Sequence, residues 1–442
     1  MDLRNGGRPV VKADPSEFVD GSTPRSAAAE WKAGWPLVLG AMLGYSAIAL
    51  QAFLIGPYVL PITREFDWSR AEILSGISAL HVTGILFNYL GGAVIDRFGA
   101  RRVALIGQVI NCSALAALSL ATPSLTGWAL HWVLVSLGAS LMQATAWTRV
   151  VAAHFFAGRG LAIATVLTGS SLAGAFSPLI SASLLSRFEW RIALAASPLI
   201  WLAVTLPFSF ALFRSPHAKP RSERDAADAV AAAADRPVTP QATGATLREA
   251  MRSPVYWTVV AGMLCFAAYS VGLTPNIVPL LVEKDIPPGQ AAVIASLLGF
   301  SGLVARLLIG HLFDRFATHV VAAGAFLMPA VGLGLLLLPG ADVPTLTVAV
   351  ILVGATLGAE YDVIIYMLTK HFGLRHFGKI MGSVLSVGAV GSATAPVLTG
   401  WVRDVTGNYD LALIVLAAVM IACAVAMFAT GRSRTTLGAY AP

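Results

Sequence analysis

Apolar runs of around twenty residues recur along nearly the whole chain, and no other feature restricts its fold as tightly. Each is long enough to cross a hydrocarbon layer of roughly 30 Å as a helix. Inside such a layer only helices and closed barrels satisfy their own backbone hydrogen bonds. Twelve runs can be read, at 35–62, 72–95, 102–121, 127–153, 160–185, 191–213, 254–282, 290–312, 318–338, 345–370, 375–402 and 409–431. The 442 residues are 57% hydrophobic and only 12% charged, which is not the composition of a soluble domain. The expected fold class is therefore an all-α integral membrane protein with twelve transmembrane helices.

Charge placement orients these helices. With both termini in the cytoplasm, 22 of the 30 basic residues fall on the cytoplasmic side and six outside. The other two, Arg149 and Arg306, lie within helices. That asymmetry is the positive-inside pattern, expected of a multi-pass protein of the cell (inner) membrane. It accounts for the net charge of +7 without a nucleic-acid partner. The first thirty-four residues are polar and carry no cleavable signal pattern, so the first helix is expected to be an uncleaved anchor. Cys112, Cys265 and Cys423 fall within predicted helices with no pairing or metal spacing and read as packing residues. No cofactor or metal is expected.

The chain also reads as a duplication. Gly92-Ala-Val-Ile-Asp96-Arg97-Phe-Gly99-Ala-Arg101-Arg102 follows the second run, and a shorter copy, Gly310-His-Leu-Phe-Asp314-Arg315-Phe316, follows the eighth, 218 residues on. His154-Phe155 returns as His371-Phe372 and Pro178 as Pro396, at offsets of 217 and 218. Two pseudo-symmetric six-helix bundles, 35–213 and 254–431, are expected. A polar linker at 214–253 joins them, and cytoplasmic tails at 1–34 and 432–442 flank them. Gly92 and Gly310 are expected to admit a close neighbouring helix. Pro178 and Pro396 are expected to kink the fifth and eleventh helices.

The pattern Gly-x3-Asp-Arg-x-Gly-x-Arg-Arg resembles the loop between helices two and three of major facilitator superfamily transporters. Phe66-Asp-Trp68-Ser69-Arg70, His154-Phe-Phe-Ala-Gly-Arg159-Gly-Leu-Ala162 and Arg306 resemble its oxalate/formate antiporter and monocarboxylate transporter branch. The resemblance implies two bundles that admit substrate alternately from either side. It implies a gating role for Gly92, Asp96, Arg97, Gly99, Arg101, Arg102, Asp314 and Arg315, and a carboxylate-binding role for Arg306. Beyond Lys379 at its cytoplasmic end, the eleventh helix has no lysine of the kind a dicarboxylate exchanger would supply.

Ionisable groups inside a membrane are costly and mark functional sites. Arg306 lies about 12 Å inside the cytoplasmic end, and a guanidinium there suits bidentate capture of a carboxylate. Arg149 is nearer the surface. Glu360 and Asp362 are candidate proton carriers; two residues apart on a helix, they point about 200° apart and cannot share a face. Asp362 and Tyr366, four apart, are placed to hydrogen-bond along the helix. His81 and Asn88 share a face of the second helix, while Tyr45, Gln51, Tyr269 and Asn276 are polar groups on the first and seventh helices. All are candidate substrate contacts, at the midplane between repeated halves.

The expected function is secondary transport, in a monomer, of a small organic anion (a monocarboxylate) with a proton. The alternative is proton-coupled efflux of a drug-like amphiphile, which calls for a wide aromatic cavity. The sequence holds no His-Glu-x-x-His pair, no Gly-x-Ser-x-Gly turn and no phosphate-cradling loop, so neither an enzyme nor an ATP-driven pump is expected.

Overall fold

The structure is a computed structural model describing residues 27–155, 158–214, 244–373 and 375–432. Among these residues twelve helices are long and apolar enough to cross a membrane. In chain order they are α1 (Ala27–Phe66), α2 (Arg70–Phe98), α3 (Ala100–Leu120), α4 (Leu125–Ala152), α5 (Arg159–Leu185) and α6 (Trp190–Leu212). The second six are α7 (Pro254–Glu283), α8 (Pro288–Phe313), α9 (Thr318–Leu336), α10 (Val343–Phe372), α11 (Phe377–Thr406) and α12 (Asp410–Ala429). No strand occurs among the described residues beyond a single bridge between Gly244 and Gly373. The helix ends agree with the apolar runs to within a few residues except at α1, which starts at Ala27. The extra turns are held by tertiary contacts: Trp31 meets Phe155 edge-on at 5.5 Å, and the Gly158 N–H donates to Glu30 Oε2 at 2.9 Å.

Successive helices reverse direction, so the ends of α2, α4, α6, α8, α10 and α12 lie on one face with the linker. We call this the linker face and the opposite one the far face. Capping chemistry sets several ends. At the start of α2 the Ser69 hydroxyl accepts from the Glu72 N–H, and the Ser69 N–H returns to the Glu72 carboxylate. At its end Gly99 has φ 88°, a backbone that L side chains rarely adopt, and this turns the chain directly into α3. Two residues on, Arg101 donates to the carbonyls of Phe213 at 2.5 Å and Phe210 at 2.9 Å, neutralising the C-terminal end of α6.

Buried apolar side chains form two clusters, one drawn from residues 37–213 and one from 245–427. Tryptophans organise the first. Trp68, Trp128 and Trp132 stand edge-on at 5.8 and 6.0 Å, and the Trp128 indole donates to the Ile73 carbonyl, fixing α4 against α2. The clusters meet where small residues let backbones touch: a Cβ on Gly174 of α5 would lie 3.0 Å from Gly299 Cα of α8.

One expectation is corrected. A Cβ on Gly92 would meet nothing within 4 Å; the close helix approach belongs to its neighbour Gly91, against Ser140 of α4. Gly92 is rotated about 100° further round α2 and misses that helix. The surroundings of Gly310 lie outside the described residues. Helical segments run through Pro178 and Pro396, and α5 is interrupted at Thr168. That break frees the Leu167 carbonyl for the contact described next.

Candidate functional site

Gly302 of α8 and Gly358 of α10 cross so closely that a Cβ on Gly358 would stand 2.9 Å from Gly302 Cα. Arg306 and Asp362 each lie four residues beyond one of these glycines, hence on the same helix faces one turn further on. The crossing therefore brings them together. Arg306 Nε is 3.4 Å from Asp362 Oδ2 and donates to the Gly358 carbonyl at 3.1 Å. Its Nη1 donates to the Leu167 carbonyl of α5 at 2.8 Å. One guanidinium thus bridges the two halves at about mid-depth. The Arg306 side chain is 9% exposed and that of Asp362 30%. Tyr45 of α1 and Tyr361 of α10 lie within electrostatic reach of Arg306, so four helices converge on this cation. Tyr361 was not singled out from the sequence, although its place between Glu360 and Asp362 was the available signal.

A cavity of about 510 Å³ opens between α1, α2 and α4 of the first half and α7 and α11 of the second, and no residue of the Arg306 cluster lines it. Gln51, His81, Asn88 and Gln143 line it, and its lining includes no charged residue and no Phe, Tyr or Trp. Gln143 is committed to the Asn88 and Ser140 carbonyls, whereas Gln51 Oε1 is buried without a hydrogen-bond partner. A larger groove, about 640 Å³, runs over the exposed apolar faces of α8, α9 and α10. With side chains such as Val304, Leu308 and Phe316 it reads as lipid-facing surface rather than a polar site.

Other expected site residues stand apart. Arg149 pairs with Asp96 at 2.5 Å, both side chains about two-thirds exposed on the linker face, so it is held away from the central cluster. Tyr366 does not bond to Asp362; Arg306 takes that carboxylate, and Tyr366 stacks on Phe313 at 4.2 Å. Asn276 is fully buried, donating to the Gly272 carbonyl and accepting from the Tyr409 hydroxyl at 3.0 Å. The Tyr269 hydroxyl donates to the Val353 carbonyl. Both are engaged in helix packing. Arg97 lies over the Phe98 ring, and Arg102 and Arg315 are exposed. The side chains of Glu360 and Asp314 lie outside the described residues. The Cys265 thiol, expected only to pack, is hydrogen-bonded to that of Cys423.

The sequence did not single out a second polar group that joins the halves at the far face. The N–H groups of Arg70 and Ala71, in the first turn of α2, donate to the two carboxylate oxygens of Asp404 in α11, at 3.1 and 3.0 Å. Glu283 of α7 stands 3.7 Å from Arg70 and 2.8 Å from Arg403. Acidic and basic residues clustered at helix ends were the signal.

Comparison with known proteins places this arrangement. The model of the family described as the Major Facilitator Superfamily matches residues 41–319 and 260–439. Monocarboxylate transporter 13 of Bos taurus is 29% identical over 398 residues, covering 88% of this chain and 87% of its own. That of Rattus norvegicus is 26% identical over 407 residues, covering 88% and 87%. Among solved structures, a D-xylose-proton symporter superposes with a TM-score of 0.65 at 15% identity, covering 89% of this chain and 97% of that one. The last comparison speaks to fold alone.

Proposed function

The chain belongs to the Major Facilitator Superfamily, as a multi-pass membrane transporter and not an enzyme, and on that premise we propose that it moves a small organic monocarboxylate together with a proton. The observation carrying this reading is Arg306, a nearly buried guanidinium that touches both halves at once.

Removing one partner of a buried ion pair costs about 3–5 kcal/mol, so Arg306 is held paired throughout the cycle. In the empty protein Asp362 supplies the negative charge. Protonation of Asp362 releases the Nε edge, and a substrate carboxylate takes its place through charge-assisted hydrogen bonds. Anion and proton are then taken up together, because either alone leaves the site with an uncompensated charge. Tyr45 and Tyr361 supply hydroxyls beside the bound anion.

The bundles 35–213 and 254–431 rock about this site in a monomer, with the linker 214–253 and both termini cytoplasmic. Asp404 and Glu283 hold the far-face ends together while the exposed linker-face half of α2, including Asn88 and Tyr89, borders the entrance. Gly99 and Arg101 fix the α2–α3 turn that moves with the first bundle. The cavity lining holds no Phe, Tyr or Trp, which counts against the wide aromatic cavity a drug-like amphiphile calls for.

The test is uptake into proteoliposomes of mono- and dicarboxylates under an imposed proton gradient. Monocarboxylate accumulation driven by inward protons, collapsing with an ionophore, is the expected result. Uptake indifferent to the gradient would overturn proton coupling.

A further inference from the structure

We propose that the groove on α8, α9 and α10 binds one acyl chain of an anionic phospholipid, whose headgroup is held at the linker face by Arg315 and Lys370.

The groove follows from how three helices pack. α8 and α9 each lie along α10 but scarcely touch one another, which leaves a trough floored by α10. Ala305, Gly324, Ala355 and Ala359 give it depth, while the larger Val304 and Met328 stand exposed at its rims. The hydroxyls within it are spent. Ser301 donates to the Leu297 carbonyl at 2.6 Å, and Thr356 faces the Ala325 and Leu352 carbonyls at 3.4 Å. Nothing there would hold a water, so the trough takes hydrocarbon. From Leu297 to Leu312 it runs about 22 Å along α8. One leaflet of the hydrocarbon layer is only roughly 15 Å deep, so a chain entering from the linker-face leaflet can lie in the trough throughout its length.

The linker-face mouth is cationic. Helical turns continue past α8 to Arg315, which shares the helix face of Val304 and Leu308, the face that walls the groove. Lys370 stands three turns beyond Ala359 and shares its face of α10, the floor. Its Nζ donates to Thr318 Oγ1 of α9 at 2.5 Å, which ties the floor to the second wall and leaves other ammonium donors free. Both cations are exposed, and neither forms an ion pair among the described residues. Asp314 is set about 100° round the helix from Arg315. Two cations over a dry apolar trough complement a single molecule that has a phosphate at one end and hydrocarbon at the other. A zwitterionic headgroup brings its own cation to this mouth and is disfavoured there. The seated chain backs the Gly302–Gly358 crossing, since Ala305 and Ala359 lie within three residues of its glycines.

For the test, purified protein is reconstituted in nanodiscs of equal parts phosphatidylglycerol and phosphatidylcholine and released into detergent. Its retained lipids are then identified by native mass spectrometry. Wild type is expected to keep one lipid per chain, phosphatidylglycerol over phosphatidylcholine by about fivefold or more, the worth of one basic residue facing an anionic lipid. Gly324→Phe fills the trough at a position where a Cβ would meet nothing within 4 Å, so it should fold and keep no lipid. Arg315→Gln combined with Lys370→Gln should still retain a lipid but bring the preference to within about twofold of unity. Equal retention of both lipids by wild type, no retention at all, or a second copy of the chain seated in place of lipid overturns the proposal, and none of these outcomes needs a variant to fold. A folded Gly324→Phe protein that keeps phosphatidylglycerol as wild type does overturns it too.

Discussion

Asp404 caps the first turn of a helix that is not its own: its two carboxylate oxygens accept the Arg70 and Ala71 N–H groups of α2, more than 330 residues away in sequence. Gly400, one turn earlier on α11, makes this possible, because a Cβ there would stand 2.7 Å from the Ala71 nitrogen. The same device joins Gly302 and Gly358 to Arg306 and Asp362. Close glycine contact sets the helix crossing, and the residue four positions on delivers the charge.

Asp404→Ala removes two charge-assisted caps, an interaction worth about 1 kcal/mol as an N-cap. The far-face ends should then separate more often. In a background whose native cysteines are serine, a cysteine introduced by Asn88→Cys should react faster with a bulky impermeant maleimide applied from the far face. An unchanged rate would show that Asp404 does not hold the halves together.

Asp362→Asn removes the internal competitor for Arg306. Carboxylate binding should tighten by up to about tenfold, roughly 1.4 kcal/mol, and lose its dependence on pH across the working range. Accumulation driven by a proton gradient should disappear while anion exchange persists. Retained proton-driven accumulation would assign the proton to another group.

Gly358→Val places a branched side chain against the Gly302 backbone. Overpacking of this kind costs about 1–3 kcal/mol, and it should push α8 from α10 and part Arg306 from Asp362. Thermal stability and carboxylate affinity should fall together. A variant that loses stability but keeps full affinity would show that the crossing does not position the pair.

Arg149→Ala should leave carboxylate affinity within about twofold of wild type and stability within ~1 kcal/mol, because its exposed pair with Asp96 lies apart from the cavity and such pairs contribute little. A tenfold loss of affinity in direct binding measurements would return Arg149 to the substrate site.

Helix ends outside the membrane carry a pH signature. Hydrogen bonds from Thr345 hold the Asp342 carboxyl below its usual range, and those from Thr246 do the same for Glu249. A depressed carboxylate contributes stability above its unfolded pKa of about 4 and loses it as pH falls through the folded value. Amide protection at the starts of α10 and of the turn Leu247–Ala250, measured against the intrinsic exchange rate at each pH, should therefore fall below about pH 4 relative to neutral pH. Equal protection at both would contradict these caps.

The fold was legible because membrane helices declare themselves by length and apolarity, and all twelve did. Arg306 and Asp362 were legible because a charge among apolar neighbours requires a reason. Their pairing was not: it depends on where α8 crosses α10, which Gly302 and Gly358 set and no spacing within one helix reveals. Arg149 misled for the same reason, since only the tertiary fold brings Asp96 to it. Asn276 and Tyr269 were polar residues on the expected helices, yet backbone carbonyls and Tyr409 claim them. Asp404 went unnoticed because a carboxylate at a helix end is ordinarily solvated.

One guanidinium between the halves is proposed to bind the substrate's carboxylate. Titration of a monocarboxylate into purified wild type, Arg306→Lys and Arg306→Ala, each confirmed folded by its thermal transition, addresses it directly. Wild type should bind saturably, Arg306→Lys at least about tenfold more weakly for want of the planar fork, and Arg306→Ala not at all. Equal affinity across the three proteins would contradict the account.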